Sequence, residues 1–459
     1  MKTTHWNTQR GIRSTRRRAA GTALLLATAP SVLTAACTGA GQATGGDAAK
    51  PIDLKGTTVE YWTWNPAAHP ESVAKEKLMA DFGAKNPHGV NVTLGAPAGG
   101  GAAAYEKIVA AMTAGTPPDM VDGWHFYMSD LFRQGATVDI DVELKGDNDW
   151  KRARPAIYPN VLEGLTWKGR LFGIPINSSH FGMYYSPNFL KRVSLAAPPP
   201  KGWSWDQFTD YARKASQPPD VTGYDDQWSY SRTGMMALAN GHRFMNKEGT
   251  KFSCNSPEAL EAVEFQMNLI KQGLMRAHDG SANGGYSEKL PDGKVVFQFG
   301  VAARVPDWRR RGIDFGTCYY PIGPKNREKV SATHGEAYCF AVFKNKDAKK
   351  QTAAFQAALW VTRPASGLVM AREGATPPSY KSSIEDASFQ AEFKKDGELW
   401  PFYDLISGFV PMPNFPGFGE VRTALDKKIL EIWAGTVSVR DGLAEATRLG
   451  QQRLDEALK

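Results

Sequence analysis

Between Lys168 and Arg192 the chain reads KGRLFGIPINSSHFGMYYSPNFLKR, and few folds accommodate it. A polar turn, Trp167-Lys168-Gly169-Arg170, opens onto an extended run. Leu171, Ile174 and Ile176 are apolar, Gly173 and Pro175 disfavour helix, and Met183-Tyr184-Tyr185 is strand-prone. In the middle stand four polar side chains, Asn177-Ser178-Ser179-His180. A strand buried along its whole length would have to satisfy each of them internally, at about 1–3 kcal/mol for each failure. A strand that leaves one hydrophobic core, crosses a wet gap and enters a second carries the pattern naturally. The stretch is read as a lobe-to-lobe crossover beside a cleft.

At 459 residues the chain is long enough for two or more domains, each with its own core. Its 13 Trp, 15 Tyr and 22 Phe make it globular rather than disordered. The formal charge of +8 invites a nucleic-acid reading until it is located. Lys2, Arg10, Arg13, Arg16, Arg17 and Arg18 precede residue 37 with no acid among them, and they account for six of the eight charges. That basic stretch leads into an apolar run, Ala19–Val32, interrupted by Pro30 and too short to span a bilayer. Residues 1–36 are read as a signal peptide, so the basic balance is no argument for a polyanion partner. The run Leu33-Thr34-Ala35-Ala36-Cys37 resembles a lipobox, with Cys37 as the acylated mature N-terminus. Residues 37–57 follow as a Gly/Ala/Thr-rich tether. Cys254, Cys318 and Cys339 have no C-x-x-C spacing, and any pairing among them stays open.

From Thr58 onward strands and helices alternate. Thr58–Asn65 reads as a strand, Ser72–Asn86 as a helix, Val90–Leu94 as a strand, Tyr105–Thr113 as a helix and Pro118–Asp122 as a strand. Such an alternation predicts an α/β lobe whose ligands sit beyond the carboxyl ends of parallel strands. Trp62-Thr63-Trp64-Asn65 and Asp122-Gly123-Trp124-His125 lie at such ends. The acidic residues 137–163 read as a solvated connection. Ser204 and Asp347 are predicted helix N-caps, and Gly335–Phe343 is a second extended stretch.

Several stretches now share a pattern: Gly169-Arg170-Leu171-Phe172-Gly173-Ile174-Pro175, Tyr184 to Leu190, Ser256 to Phe265, Gly293 to Phe297, Tyr319 to Pro324, Gly374 to Pro378 and Val410 to Pro416. In this order they resemble the family 1 extracellular solute-binding proteins of ABC importers. The resemblance covers roughly 58–458. It implies an α/β, two-lobed periplasmic-binding-protein-like fold of type II, with three crossovers and a ligand cleft between lobes. The crossings would fall near Ser178–Gly182, Gly335–Cys339 and Thr376–Tyr380. One lobe would comprise 58–178 and 334–378, the other 179–333 and 379–459.

A sugar presents an apolar C–H face for stacking and hydroxyls that need fixed polar partners, so aromatic rings beside amides, carboxylates and Arg suit it. The expected aromatic contacts are Trp62, Trp64, Trp124, Trp228, Trp308 and Phe415. The expected polar contacts are Asn65, Asp122, His125, Asn177, Ser179, Arg304, Asp307 and Glu336, with Asp307-Trp308 the sharpest pair because it matches a ligand loop of the resembling family. Trp203, Trp205 and Trp360 are read as core. For an enzyme the chain has no G-x-S-x-G, H-E-x-x-H or P-loop pattern. Ser72-Val73-Ala74-Lys75 matches S-x-x-K without its companion motifs and is read as an exposed helix face.

The expectation is an exported, lipid-anchored, monomeric receptor on the extracytoplasmic face of the membrane. It would capture a mono- or oligosaccharide by hinge closure and hand it to ABC permease subunits, with no catalytic residue, cofactor, metal or nucleic acid. A secreted carbohydrate-active enzyme, or the same fold holding a non-sugar such as glycerol phosphate, are the alternatives.

Overall fold

The first strand ends three residues earlier than its hydrophobic alternation suggests, and the freed residues open the loop that leads to the first helix. A computed structural model describes residues 52–95, 99–199, 201–225, 230–276, 288–328 and 331–459. Its opening elements are β1 (Thr58–Trp62), α1 (Pro70–Lys85), β2 (Asn91–Leu94), α2 (Gly101–Thr113), β3 (Met120–Trp124) and α3 (His125–Arg133). β1 pairs in parallel with β2 and β3, as alternating strand and helix require. α1 begins at Pro70 because proline suits the first helical position and the His69 side chain accepts the Glu71 N–H.

The stretch expected to be a solvated connection is partly helical, with Ile140–Glu143, Asn148–Ala153 and α4 (Pro159–Leu165). Asp147 caps the second of these by accepting the Trp150 N–H, and the Trp150 ring is buried. Acids that looked like linker are thus caps and first-turn residues.

Beyond lie β4 (Ile174–Tyr185), α5 (Trp205–Ala215), β5 (Thr222–Asp225), α6 (Pro257–Lys271), β6 (Val295–Val301), α7 (Val305–Arg310) and β7 (Gly316–Cys318). β8 (Thr333–Val342), β9 (Phe409–Pro411), α8 (Phe418–Trp433) and α9 (Val439–Leu458) follow. Ser204 caps α5 in a reciprocal capping box with Gln207, and Asp347 caps Ala348–Leu359, both as the sequence predicts.

The strands join in the order β2-β1-β3-β8-β4-β6-β5, with β9 beside β8 and β7 beside β4. β4 is 12 residues long and changes partners along its length. Ile174 to His180 lie against β8, whereas Phe181 to Tyr185 lie against β6 and, from Met183, β7. The change falls at the Asn177–His180 patch. β8 divides itself likewise, pairing with β3 through Tyr338–Val342, with β4 through Gly335–Phe340 and with β9 through Thr333–Gly335. Residues 377–379 run alongside as a third extended stretch: the Ser178 N–H donates to the Pro377 carbonyl at 3.1 Å and the Ser379 N–H to that of Ile176 at 3.4 Å. Trp203, Trp205 and Trp360 are buried, as expected of core residues, and Cys254, Cys318 and Cys339 are buried free thiols.

Candidate ligand-binding site

β4 and β8 present a common polar face. In their antiparallel register Tyr338 lies opposite Asn177 and Glu336 opposite Ser179, and strand alternation puts all four side chains on one side. The other side is closed. There His180 stacks on Phe409 at 5.0 Å, accepts the Ser178 hydroxyl at 2.7 Å and donates to the Phe402 carbonyl at 2.7 Å. Asn177 is wholly buried, yet neither its Oδ1 nor its Nδ2 has a hydrogen-bond partner. An unpaired buried amide costs about 1–3 kcal/mol. That cost makes Asn177 a candidate for a role other than stability.

Trp124, half-buried at the end of β3, borders this face, and its indole N–H donates to the Tyr338 hydroxyl. The Arg422 guanidinium of α8 lies 5.1 Å from the Trp124 ring centroid, a cation–π contact. Behind Trp124 is Trp64, wholly buried at 5.8 Å from Trp124 and 5.2 Å from Tyr127. A Cβ on Gly123 would come within 2.8 Å of the Trp64 ring, so the close packing of that indole requires glycine there.

Under the aromatic rings lies a charged floor. Asp122 accepts the Tyr61 hydroxyl at 2.7 Å and the Trp64 N–H at 2.9 Å, and it forms an ion pair with Lys75. Lys75 Nζ is also 3.8 Å from a Glu71 oxygen and 4.7 Å from the centroid of the Tyr338 ring. Glu71 accepts the Asn65 side-chain N–H at 3.2 Å, and the Ser72 hydroxyl donates to the Asn65 carbonyl at 3.1 Å. Burial, followed by the Asp122 charge, holds the Tyr61 phenol well above its usual pKa. Burial lowers His69, and the nearby cations Lys75 and Arg304 lower it further against the opposing pull of Glu71. Arg304, in the turn after β6, is thereby within electrostatic reach of the loop after β1.

Of the residues singled out in the sequence, Asn65, Trp124, Asn177, Ser179 and Glu336 converge here, with Arg304 at the edge and tied to Glu288 at 3.3 Å. Others are placed elsewhere. Asp122 and Trp64 are buried beneath the face. His125 fills a gap in the sheet, its Nδ1 accepting the Ala337 N–H at 3.2 Å and its Nε2–H donating to the Met412 carbonyl at 2.8 Å. Burial pushes its pKa down to about 4, so it is neutral. Trp62 donates to Glu60 at 2.8 Å. Trp308 is wholly buried against Tyr184 at 4.6 Å and Phe315 at 5.4 Å, which is a core position rather than a stacking platform. Asp307 turns to Arg310 at 2.7 Å and Arg311 at 3.1 Å, which hold its carboxyl below its usual pKa. Phe415 is buried against Phe418 at 5.4 Å. Trp228 and Cys37 lie outside the described residues.

Sequence reasoning missed Lys75, Glu71, His69 and Tyr338. The S-x-x-K match was expected on an exposed helix face, yet Ser72 and Lys75 are both wholly buried. The signal was there: Glu71, Lys75, Leu78 and Phe82 recur at helical spacing, which puts the lysine on the buried side of α1.

Among the described residues no helix is long and apolar enough to cross a membrane, and no cluster of three His, Cys, Asp or Glu could hold a metal ion. The chain is 23% identical over 294 residues to a Brucella abortus (strain 2308) protein described only as a binding protein, covering 59% of this chain and spanning 65% of that relative's length. It is 21% identical over 305 residues to the sn-glycerol-3-phosphate-binding periplasmic protein of Escherichia coli strain K12, covering 62% of this chain and 68% of that one. In fold it matches an ABC substrate-binding protein from Listeria monocytogenes in complex with cycloalternan. The TM-score is 0.72 at 15% identity, over 88% of this chain and 99% of the other. The architecture is accordingly the two-lobed α/β fold of solute-binding proteins. The profile of the bacterial extracellular solute-binding proteins matches residues 77–399, and the chain belongs to that family.

Proposed function

We propose that this protein captures a neutral carbohydrate on the outer side of the cytoplasmic membrane and delivers it to an ABC importer, acting as a receptor and not as an enzyme. The observation that carries this reading is the shared face of β4 and β8. There the unpartnered Asn177 amide, Ser179 and Glu336 stand beside the half-buried indole of Trp124. Fixed polar partners next to an aromatic edge are what a sugar ring needs. Relatives whose names specify lactose, mannitol and sn-glycerol 3-phosphate support a polyhydroxylated ligand. Residues 58–178 with 334–378 form one lobe of this reading and 179–333 with 379–459 the other. They close about β4, β8 and the 377–379 stretch, and Cys37 carries the lipid anchor.

A thermal-shift screen over neutral mono- and oligosaccharides and sn-glycerol 3-phosphate tests the ligand class. A ligand at a hundred times its Kd adds about 2.7 kcal/mol of stability. Stabilisation by a neutral sugar that is recovered intact is the expected result. Stabilisation by the phosphate ester alone would change the ligand class, and cleavage of an oligosaccharide would make the protein an enzyme. Small-angle scattering should show a smaller radius of gyration with ligand, and Cys37→Ser should release the exported protein from the membrane fraction.

A further inference from the structure

Lys75 is a wholly buried cation on the second turn of α1, and its charged and aromatic partners, Asp122, Glu71 and Tyr338, border the β4–β8 face. Its ion pair with Asp122 fixes the carboxylate that accepts the Trp64 N–H and the Tyr61 hydroxyl. Its approach to Glu71, at 3.8 Å, is to the same carboxylate oxygen, Oε2, that accepts the Asn65 amide. Its ammonium also lies 4.7 Å from the ring centroid of Tyr338, whose hydroxyl orients Trp124 and whose register partner is Asn177. One charge thus reaches β1, the 63–65 loop, β3 and β8 together.

A buried cation of this kind is a poor device for stability alone, because desolvation takes back much of the attraction that an ion pair supplies. What it supplies is geometry. Each partner also hydrogen-bonds a group of the site, so the charge fixes several orientations at once. We infer that Lys75 is the positioning residue of the ligand site, holding the 63–65 loop and Trp124 in register with β4 and β8. The inference rests on reading that face as the place where the solute binds.

Three proteins, compared without ligand by hydrogen exchange and mass spectrometry, decide it: the unaltered chain, Lys75→Met and Lys75→Arg. A fourth, Leu454→Ala in α9, serves as a core variant that lowers the melting temperature without touching the site. Exchange in the peptide carrying Trp64 and Asn65 should rise about tenfold in Lys75→Met beyond any rise in Leu454→Ala, because the 63–65 loop loses the charge that holds it in register. Lys75→Arg, which keeps the charge, should return it most of the way. Should Lys75→Met fail to fold, Lys75→Met/Asp122→Asn, which leaves no unmatched charge between the two, is read in its place with the same expectation. Equal acceleration in Lys75→Met (or its substitute) and Leu454→Ala, or no recovery with arginine, overturns the inference. Titration with maltotriose adds the binding arm, where Lys75→Met should lose about tenfold in affinity and Lys75→Arg most of that loss regain. If the unaltered chain binds no sugar, the carbohydrate reading falls while the exchange result still decides the role of Lys75.

Discussion

The hydroxyl of Tyr338 accepts the indole N–H of Trp124, with the two rings nearly perpendicular at 82° and their centroids 6.5 Å apart. A strand of the central pair thereby sets the orientation of an aromatic side chain at the end of β3. Trp124→Ala should cost about 2 kcal/mol or more in affinity for the sugar found by the thermal-shift screen, the size expected of an aromatic anchor. Tyr338→Phe keeps the ring and removes one hydrogen bond, so it should cost about 1 kcal/mol. Titration calorimetry measures both.

Trp308 should behave in the opposite way. Its ring is packed against Tyr184 and Phe315 in the core, so Trp308→Ala should remove about 3–5 kcal/mol of stability. Ligand affinity of the folded fraction should change little. Denaturant unfolding beside calorimetry separates the two effects.

Three buried histidines make a pH prediction. His180, His334 and His125 donate to the carbonyls of Phe402, Val410 and Met412 at 2.7, 2.9 and 2.8 Å. Burial pushes His125 and His180 down to about 4, and His334, with Arg243 nearby, to about 3. In the unfolded chain each titrates near 6.5, so below that pH the unfolded state binds more protons and stability falls. The contribution is complete above about pH 6.5 and is lost as pH drops toward 4 and 3, at about 1.4 kcal/mol per pH unit for each histidine. Chemical denaturation between pH 7 and 4 should show this slope, and His180→Gln should make it shallower.

The cysteines give a fourth test. Cys254, Cys318 and Cys339 are buried, and burial raises their pKa values, for Cys254 to about 12. Thiolate is the reactive form. A thiol reagent should therefore leave all three unmodified in the native protein at pH 8 and label them together on unfolding, as mass spectrometry would show.

The sequence disclosed the frame of this molecule because local chemistry dictates it. The Ser204 cap is set by a few adjacent residues, and the polar patch 177–180 marks the partner change in β4, although it crosses no wet gap: Asn177, Ser178 and His180 are wholly buried, and Ser178 and His180 are satisfied by each other and by the Phe402 carbonyl. The resemblance to solute-binding proteins supplied the two-lobed architecture. The site was legible at Asn177, Ser179 and Glu336, whose facing follows from strand alternation, and at Asn65 and Trp124, which stand at or just beyond strand ends. Trp64 and Trp308 misled because a tryptophan at a strand end or helix start looks the same whether its ring meets ligand or core. Lys75 was overlooked because burying a charge is costly, and the partner that forms its hydrogen-bonded ion pair, Asp122, is 47 residues along the chain.

The change of partners within β4 has a mechanical consequence. Because β4 runs unbroken from β8 to β6, no slack linker separates the two halves of its length. Any rotation of the structure on one side against the other must be absorbed as twist in a hydrogen-bonded strand and in β8 beside it. In a rotation of that kind the pair would act as a torsion bar, setting a rest angle and resisting excursion from it.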